Sequence, residues 1–320
     1  MSILVTGAAG FVGTNLIRKL LSEGEIVIGV DNFCRGSKNN LIEFLENPNF
    51  IFHEIDISDF SKYQKMILKA QSKFPIVEIW HLAANSDIPA GIEDSSIDLR
   101  DTFMTTLNTL TLMKEFNVPS IFFASSSAIY GDLGDTPLSE NIGPTLPISN
   151  YGAMKLASEA AISAASESYL KRACIFRFPN VIGIPATHGV MLDFIKKLIA
   201  TPLVLNVLGD GTQKKGYLHV DELIDAMLFI KNASKEKVSL FNIGCGDQGI
   251  TVQDIAEETV RQLSPQANIL YGAGNKGWVG DVPRFIYSIE KLKKLGWSPT
   301  LNSAQAVKKA ISEIIDQEKA

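Results

Sequence analysis

Apolar runs with little polar alternation recur through the first half of the chain. They are Ile3-Leu4-Val5, Ile26 to Val30, Phe50 to Ile55, Ile76 to Leu82, Ile121 to Ser125 and Arg172 to Phe178. Runs of this kind suit strands covered on both faces, as in a parallel sheet. Between them lie stretches with apolar residues at helical spacing. The first passes through Leu16, Ile17, Leu20 and Leu21 and stops at Gly24; the others cover about 58–71, 96–117 and 151–169. Pro119, after Val118, ends the third of these. The alternation predicts an α/β protein with a doubly wound parallel sheet of Rossmann type over residues 1–178. Part of 217–244 is expected to return to that sheet, and 179–320 to form mainly a smaller C-terminal α/β substrate lobe. In the lobe the pattern predicts helices over about 192–200 and 222–229, one starting at Thr251 or Val252, and an amphipathic helix over 304–320. Phe241 to Gly244 reads as a short strand, Thr251 as a helix cap, and Asp221 as the cap of the helix that follows it.

The junction between the first strand and the first helix changes this picture from fold to ligand. Thr6-Gly7-Ala8-Ala9-Gly10-Phe11-Val12-Gly13 places three glycines at three-residue spacing there. A dinucleotide's pyrophosphate requires that no Cβ stand between backbone amides, helix N-terminus and phosphate oxygens. Gly7 is expected to make the turn, Gly10 to admit the phosphate, and Gly13 to let the helix lie on the sheet, with Phe11 and Val12 opening the helix beside it. Asp31, at the end of the second strand, suits the adenosine ribose hydroxyls and repels a 2′-phosphate, which predicts NAD as the cofactor. Asn32 starts a polar loop over the adenosine. Asp56, followed by Ile57, falls beside the adenine or else caps the next helix. Leu82 ends the strand at the cofactor, Ala83 and Ala84 after it are small enough for the nicotinamide ribose to pack on backbone, and His81 before them reads as a packed structural histidine.

Composition narrows the class further. With 46% apolar and 20% charged residues among 320, and no apolar run of membrane-spanning length, the chain reads as a globular cytoplasmic protein. The net charge of −5 and the lack of a clustered Lys/Arg run argue against nucleic acid. Cys34, Cys174 and Cys245 are scattered without zinc-site spacing, so reduced thiols and no metal are expected.

The candidate chemistry stands in two pieces. Ser125-Ser126-Ser127-Ala128-Ile129-Tyr130-Gly131 puts hydroxyls at the carboxyl end of the fifth strand, and Tyr151-Gly152-Ala153-Met154-Lys155 opens a helix. Tyr151 and Lys155 lie one turn apart and share a face. A phenol is a poor base at neutral pH, and lowering its pKa from about 10 to about 7 takes roughly 4 kcal/mol. A nearby ammonium and a positive nicotinamide ring supply that in a partly desolvated pocket. Tyr151 is then the general base, Lys155 its tuner and ribose anchor, and Ser126 the partner of the reacting hydroxyl.

These motifs, taken together, resemble the extended short-chain dehydrogenases/reductases, the NAD-dependent nucleotide-sugar epimerases and dehydratases. The likeness runs through Asp31-Asn32, His81-Leu82-Ala83-Ala84, the serine run into Tyr130-Gly131, Arg177-Phe178-Pro179-Asn180, Gly209-Asp210-Gly211, His219-Val220-Asp221 and Leu295-Gly296-Trp297. It implies reversible oxidation of a sugar hydroxyl by bound NAD, the sugar arriving on a nucleoside diphosphate, in a homodimer formed through the helices that begin near Ser96 and Tyr151. The resemblance also implies substrate contacts at Asn180, beside Gly183, and at Val190, Lys215, Tyr217 and Arg284. An asparagine capping its own turn is the other reading of Asn180. Two departures matter. The family's dehydratases carry Thr-Asp-Glu where this chain has Ser126-Ser127-Ala128, so no carboxyl group is placed for elimination. The family's arginines at the positions of Lys215 and Trp278 are absent, which leaves Arg284 or Lys276 as the phosphate clamp. The expectation is a 4-epimerase of a nucleoside diphosphate hexose working through a transient 4-keto sugar. A one-way nucleotide-4-keto-sugar reductase using NAD(P)H and a non-catalytic NAD-binding protein are the alternatives.

Overall fold

The computed structural model describes residues 1–134, 136–274 and 286–319. In chain order its first half contains β1 (Ser2–Thr6), α1 (Phe11–Ser22), β2 (Val27–Asp31), β3 (Phe50–Glu54), α2 (Phe60–Lys73), β4 (Ile76–His81), α3 (Ile88–Glu93), α4 (Ser95–Asp98), α5 (Thr105–Glu115), β5 (Ser120–Ser126) and α6 (Asn150–Ser168). Then follow β6 (Arg172–Phe178), β7 (Asn180–Ile182), α7 (Val190–Ala200), β8 (Val204–Val207), β9 (Lys214–Lys215), β10 (Tyr217–His219), α8 (Val220–Ala233), β11 (Val238–Asn242), β12 (Ile250–Thr251), α9 (Val252–Leu263), β13 (Asn268–Tyr271), α10 (Glu290–Leu295) and α11 (Ser303–Lys319).

The chain divides into two compact units. The first holds residues 1–131, 144–177 and 227–241, so the returning stretch is the end of α8 with most of β11, and 132–143 belong to the other unit. Its seven-stranded sheet has the order β11-β6-β5-β4-β1-β2-β3. β1 pairs in parallel with β2 and with β4, β2 with β3, and β4 with β5. The strand order reverses direction at β1, the place where doubly wound sheets bind ligands at the carboxyl edge. β1 and β2 are buried along their whole length, because helices cover both faces. Leu4, Ile28, Ile79, Ile121 and Phe123 fill one side of the sheet with Tyr63, Ile67, Leu112 and Met113 from the helices.

One predicted helix is broken where the pattern suggested continuity. Between α4 and α5 the backbone forms a π-helical stretch, Leu99–Met104, which shifts the face presented by the threonines after it. The second unit packs Phe194, Ile195 and Leu198 of α7, Ile255 and Val260 of α9, and Val307, Ile311 and Ile314 of α11 around Leu205 and Val207 of β8. There Thr251 caps α9 reciprocally with Asp254, as expected. Asp221 does not cap α8; it lies inside the first turn and pairs with Lys309, while its backbone N–H donates to His219 Nδ1.

Candidate active site

The turn after β1 is shaped by what a side chain would strike. Gly7 has φ 69°, and a Cβ on it would lie 2.9 Å from Ala83 N; one on Gly13 would fall 2.0 Å from Gly7 O. The helix therefore rests directly on the turn, an approach that only glycine allows. A Cβ on Gly10 would meet just Gly7 O at 3.2 Å, so access from outside, rather than packing, favours glycine there. Gly10 is also the N-cap of α1, brings no side chain to the first-turn amides, and is followed by no acid in that turn. These amides suit an anion. Phe11 and Val12 are half-buried at the same end.

Asp31 ties the second strand to this turn. Its Oδ2 accepts from Ala9 N at 3.0 Å and its Oδ1 from Phe33 N at 2.7 Å. Burial raises its pKa, outweighing the hydrogen bonds from Phe33, Ala9 and Asn32. Each carboxylate oxygen keeps a lone pair for a ribose hydroxyl. The cradle and this acceptor fit a pyridine dinucleotide. Asn32 shapes the loop by accepting from Cys34 N. Asp56 does not cap α2, since Asp59 does; Asp56 accepts from Ser58 N at the carboxyl end of β3, and the Ile57 side chain is buried in the sheet core.

His81 is structural, as the pattern implied. Thr6 Oγ1 lies 2.9 Å from His81 Nδ1 and accepts from Leu82 N and Ala83 N, each at 3.2 Å, while His81 Nε2 lies 3.1 Å from Thr106 Oγ1. Thr106 in turn donates to Thr102 O. The imidazole is therefore neutral, with its proton on Nε2, and burial followed by the Lys155 charge pushes its pKa down to about 3. This network fixes Leu82 and Ala83 against the turn, and Ala84 follows them. Thr102 holds the next residue, accepting from Asn85 N at 3.1 Å. No local motif marked Thr102 or Thr106, because their partners Asn85 and His81 lie far from them along the chain.

Ser126, Tyr151 and Lys155 come together. Ser149 caps α6 by accepting from Gly152 N. A Cβ on Gly152 would lie 2.5 Å from Ala128 O, so this glycine lets the helix end sit on the turn after β5. Tyr151 there hydrogen-bonds Ser126. Lys155 is 2% exposed; its Nζ donates to Ala124 O at 2.5 Å and lies 5.8 Å from the centre of the Tyr151 ring. Burial pulls Lys155 down to about 7 against the raising effects of Glu159 and Asp98. Tyr151 corrects the expectation for the unliganded chain. Burial, opposed by the Ser126 hydrogen bond and joined by Asp98, pushes it up to about 12, not down to about 7. More stabilisation than the roughly 4 kcal/mol reckoned from a free phenol is then needed.

Three charged residues around this trio were given no role by the sequence, although Arg177 stood in one of the motifs above. Asp98 is fully buried; its Oδ1 accepts from Asn85, and its Oδ2 occupies the space a Gly91 side chain would take, 1.8 Å from an added Cβ. Glu159, two turns beyond Tyr151 on α6, accepts from Arg177 Nε at 2.9 Å and Nη2 at 2.6 Å, and from Ser125 Oγ. Arg177 Nη1 also donates to Tyr130 Oη at 2.9 Å. The signal was present, since Glu159 continues the Tyr151-Lys155 face at four-residue steps.

In the second unit, β7 pairs with β10 so that Asn180 faces Tyr217 in register. The Asn180 amide donates to Gly216 O at 3.3 Å, linking the strands rather than capping its own turn. Lys215 is half-buried in β9 opposite Ile250, and the Tyr217 ring belongs to the second core. Val190 opens α7 after Gly189, whose φ is 107°. Arg284, Lys276 and Trp278 lie outside the described residues.

Comparison with known proteins agrees with this geometry. Residues 3–244 match the family described as NAD dependent epimerase/dehydratase. A putative UDP-glucose 4-epimerase of Methanocaldococcus jannaschii is 30% identical over 97% of both chains. A UDP-glucuronate 4-epimerase of Thermodesulfobacterium geofontis is 28% identical over 97% of this chain and 94% of its own. Among solved structures, a UDP-galactose 4-epimerase superposes with a TM-score of 0.85 at 32% identity, covering 99% of each chain. The UDP-glucose 4-epimerase of Thermotoga maritima, solved with UDP-glucose, gives 0.86 at 27% identity over 100% of this chain and 99% of its own. The glycine cradle, the acid at β2 and the Tyr-Lys pair thus stand in a chain that belongs to the NAD dependent epimerase/dehydratase family.

Proposed function

We propose that this chain is an NAD-dependent 4-epimerase of a nucleoside diphosphate hexose, with a UDP-sugar as substrate. The observation that carries the reading is the hydrogen-bonded Ser126-Tyr151 pair beside the buried Lys155, with Ala128 where an eliminating acid would stand. The similar epimerases named above favour 4-epimerisation over reduction. NAD, when bound, supplies the acceptor for the carbinol hydrogen and its return to the other face. Tyr151 Oη takes the proton of the sugar 4-hydroxyl and gives it back. Ser126 Oγ holds that hydroxyl in line, and the Lys155 ammonium stabilises the phenolate. Because the hydrogen must return to the opposite face of the keto carbon, the chain needs a firm hold on the diphosphate and a loose one on the sugar. Asn180, Lys215 and Arg284 are our candidates for the firm hold, with the backbone at Val190 against the nucleobase; the Tyr217 ring, buried in the second core, is not among them.

Within the described residues no helix is long and apolar enough to cross a membrane. We place the protein in the cytoplasm, where its three free thiols stay reduced. We also infer a homodimer through the helical stretch after α3 and α6, a reading supported by Leu99 and Met104 at 47% and 39% exposure.

The test is turnover of UDP-glucose, UDP-N-acetylglucosamine and UDP-glucuronate by the purified protein without added cofactor. Tyr151→Phe should cut kcat about 10²–10⁴-fold while leaving NAD bound. Normal turnover by that variant removes Tyr151 as the base. Stoichiometric consumption of NADPH with a 4-keto sugar would identify a reductase.

A further inference from the structure

The loops after β2 and β4 are joined by an ion pair that has no part in the chemistry above. Arg35 Nη1 donates to Asp87 Oδ2 at 2.9 Å, with the side chains 43% and 35% exposed. β1 lies between β2 and β4 in the sheet. A link between their following loops must therefore cross the loop that follows β1, which is the glycine turn. The neighbouring contacts show that it crosses closely. A Cβ on Gly36 would lie 2.8 Å from the Ala9 carbonyl, Ser37 N donates to Ala9 O, and Asn40 Nδ2 donates to the same oxygen at 2.9 Å. The loop carrying Arg35 is thus seated on the turn itself.

Its two ends differ in character. Asp87 is held fast: its Oδ1 caps α3 by accepting from Ala90 N, its N–H donates to Asn85 Oδ1, and its carbonyl accepts from Asn85 Nδ2. Asn85 is anchored in turn by Asp98 and Thr102. Arg35 is a long side chain on a loop. The arrangement is a fixed post and a movable arm.

We propose that Arg35 and Asp87 are positioning residues, forming an ionic strap across the glycine turn that retains the pyridine nucleotide between turnovers. An epimerase regains its oxidised cofactor in every cycle, so slow release carries no kinetic cost. The strap rests on the cofactor reading above, and its test separates the two.

The protein is loaded with NAD, and release is followed by an enzyme that reduces free NAD. Arg35→Gln and Asp87→Asn are compared with wild type; asparagine keeps the helix cap, so the second variant removes only the charge. For a partly exposed pair, each variant should release NAD about fivefold faster. The double variant should be no faster than either single one. Salt should speed release from wild type and not from Arg35→Gln. Unchanged release rates in a wild type that holds NAD overturn the strap alone. Faster release in Arg35→Gln only also overturns it, because Arg35 would then act on the cofactor without Asp87. A wild type that takes up no pyridine nucleotide overturns the strap and the cofactor reading together.

Discussion

Replacing Glu159 with glutamine isolates the charge on which the base-tuning lysine and the sheet both depend. The Glu159 and Arg177 side chains are each 7% exposed, and the carboxylate takes two guanidinium hydrogen bonds besides that of Ser125. Glutamine keeps the shape and one acceptor but leaves Arg177 as a buried cation whose remaining side-chain acceptors include Tyr130. Breaking a buried pair from one side costs about 3–5 kcal/mol, and the retained acceptor places this variant near the lower end. Urea unfolding followed by circular dichroism measures that loss. The same charge raises the pKa of Lys155, which stands at about 7. Without it the ammonium is lost at lower pH, so the alkaline limb of the kcat profile should move down. A variant that unfolds with a loss under about 0.5 kcal/mol and keeps its alkaline limb in place refutes the argument.

Two further outcomes follow from the geometry. Gly13→Ala puts a methyl group 2.0 Å from Gly7 O, with the other near atoms also backbone, so the turn must open. A loss of about 1–3 kcal/mol and of NAD retention is expected, read by thermal melting and by nucleotide released on denaturation. His219 bridges Glu313 Oε2 at 2.9 Å and Asp221 Oδ2 at 3.3 Å, with Lys309 beside them. Burial disfavours its charge, but the neighbouring carboxylates of Asp221 and Glu313 outweigh that and raise its pKa above 6.5. Its stabilisation is complete below that ordinary value and fades as pH rises through the folded one. Wild type should therefore lose more stability than His219→Gln across that window in melts at fixed ionic strength.

Local features of the chain determined much of this protein. Continuous apolar runs separated by helical spacing specify a parallel sheet because period and burial are local properties, and the observed β1 to β6 occupy the predicted stretches. The glycine turn, Asp31 and the Tyr151-Lys155 step were legible for the same reason, since each depends on spacing along one turn, strand end or helix. What only the folded chain decided involves residues far apart. Thr106 meets His81, Thr102 holds Asn85, and Glu159 pairs with Arg177. The Tyr151 phenol is raised because packing removes water from around it, and the Arg35-Asp87 link exists because β1 lies between β2 and β4. Desolvation and cross-loop contact are sums over neighbours from many parts of the chain, so no window of sequence contains them.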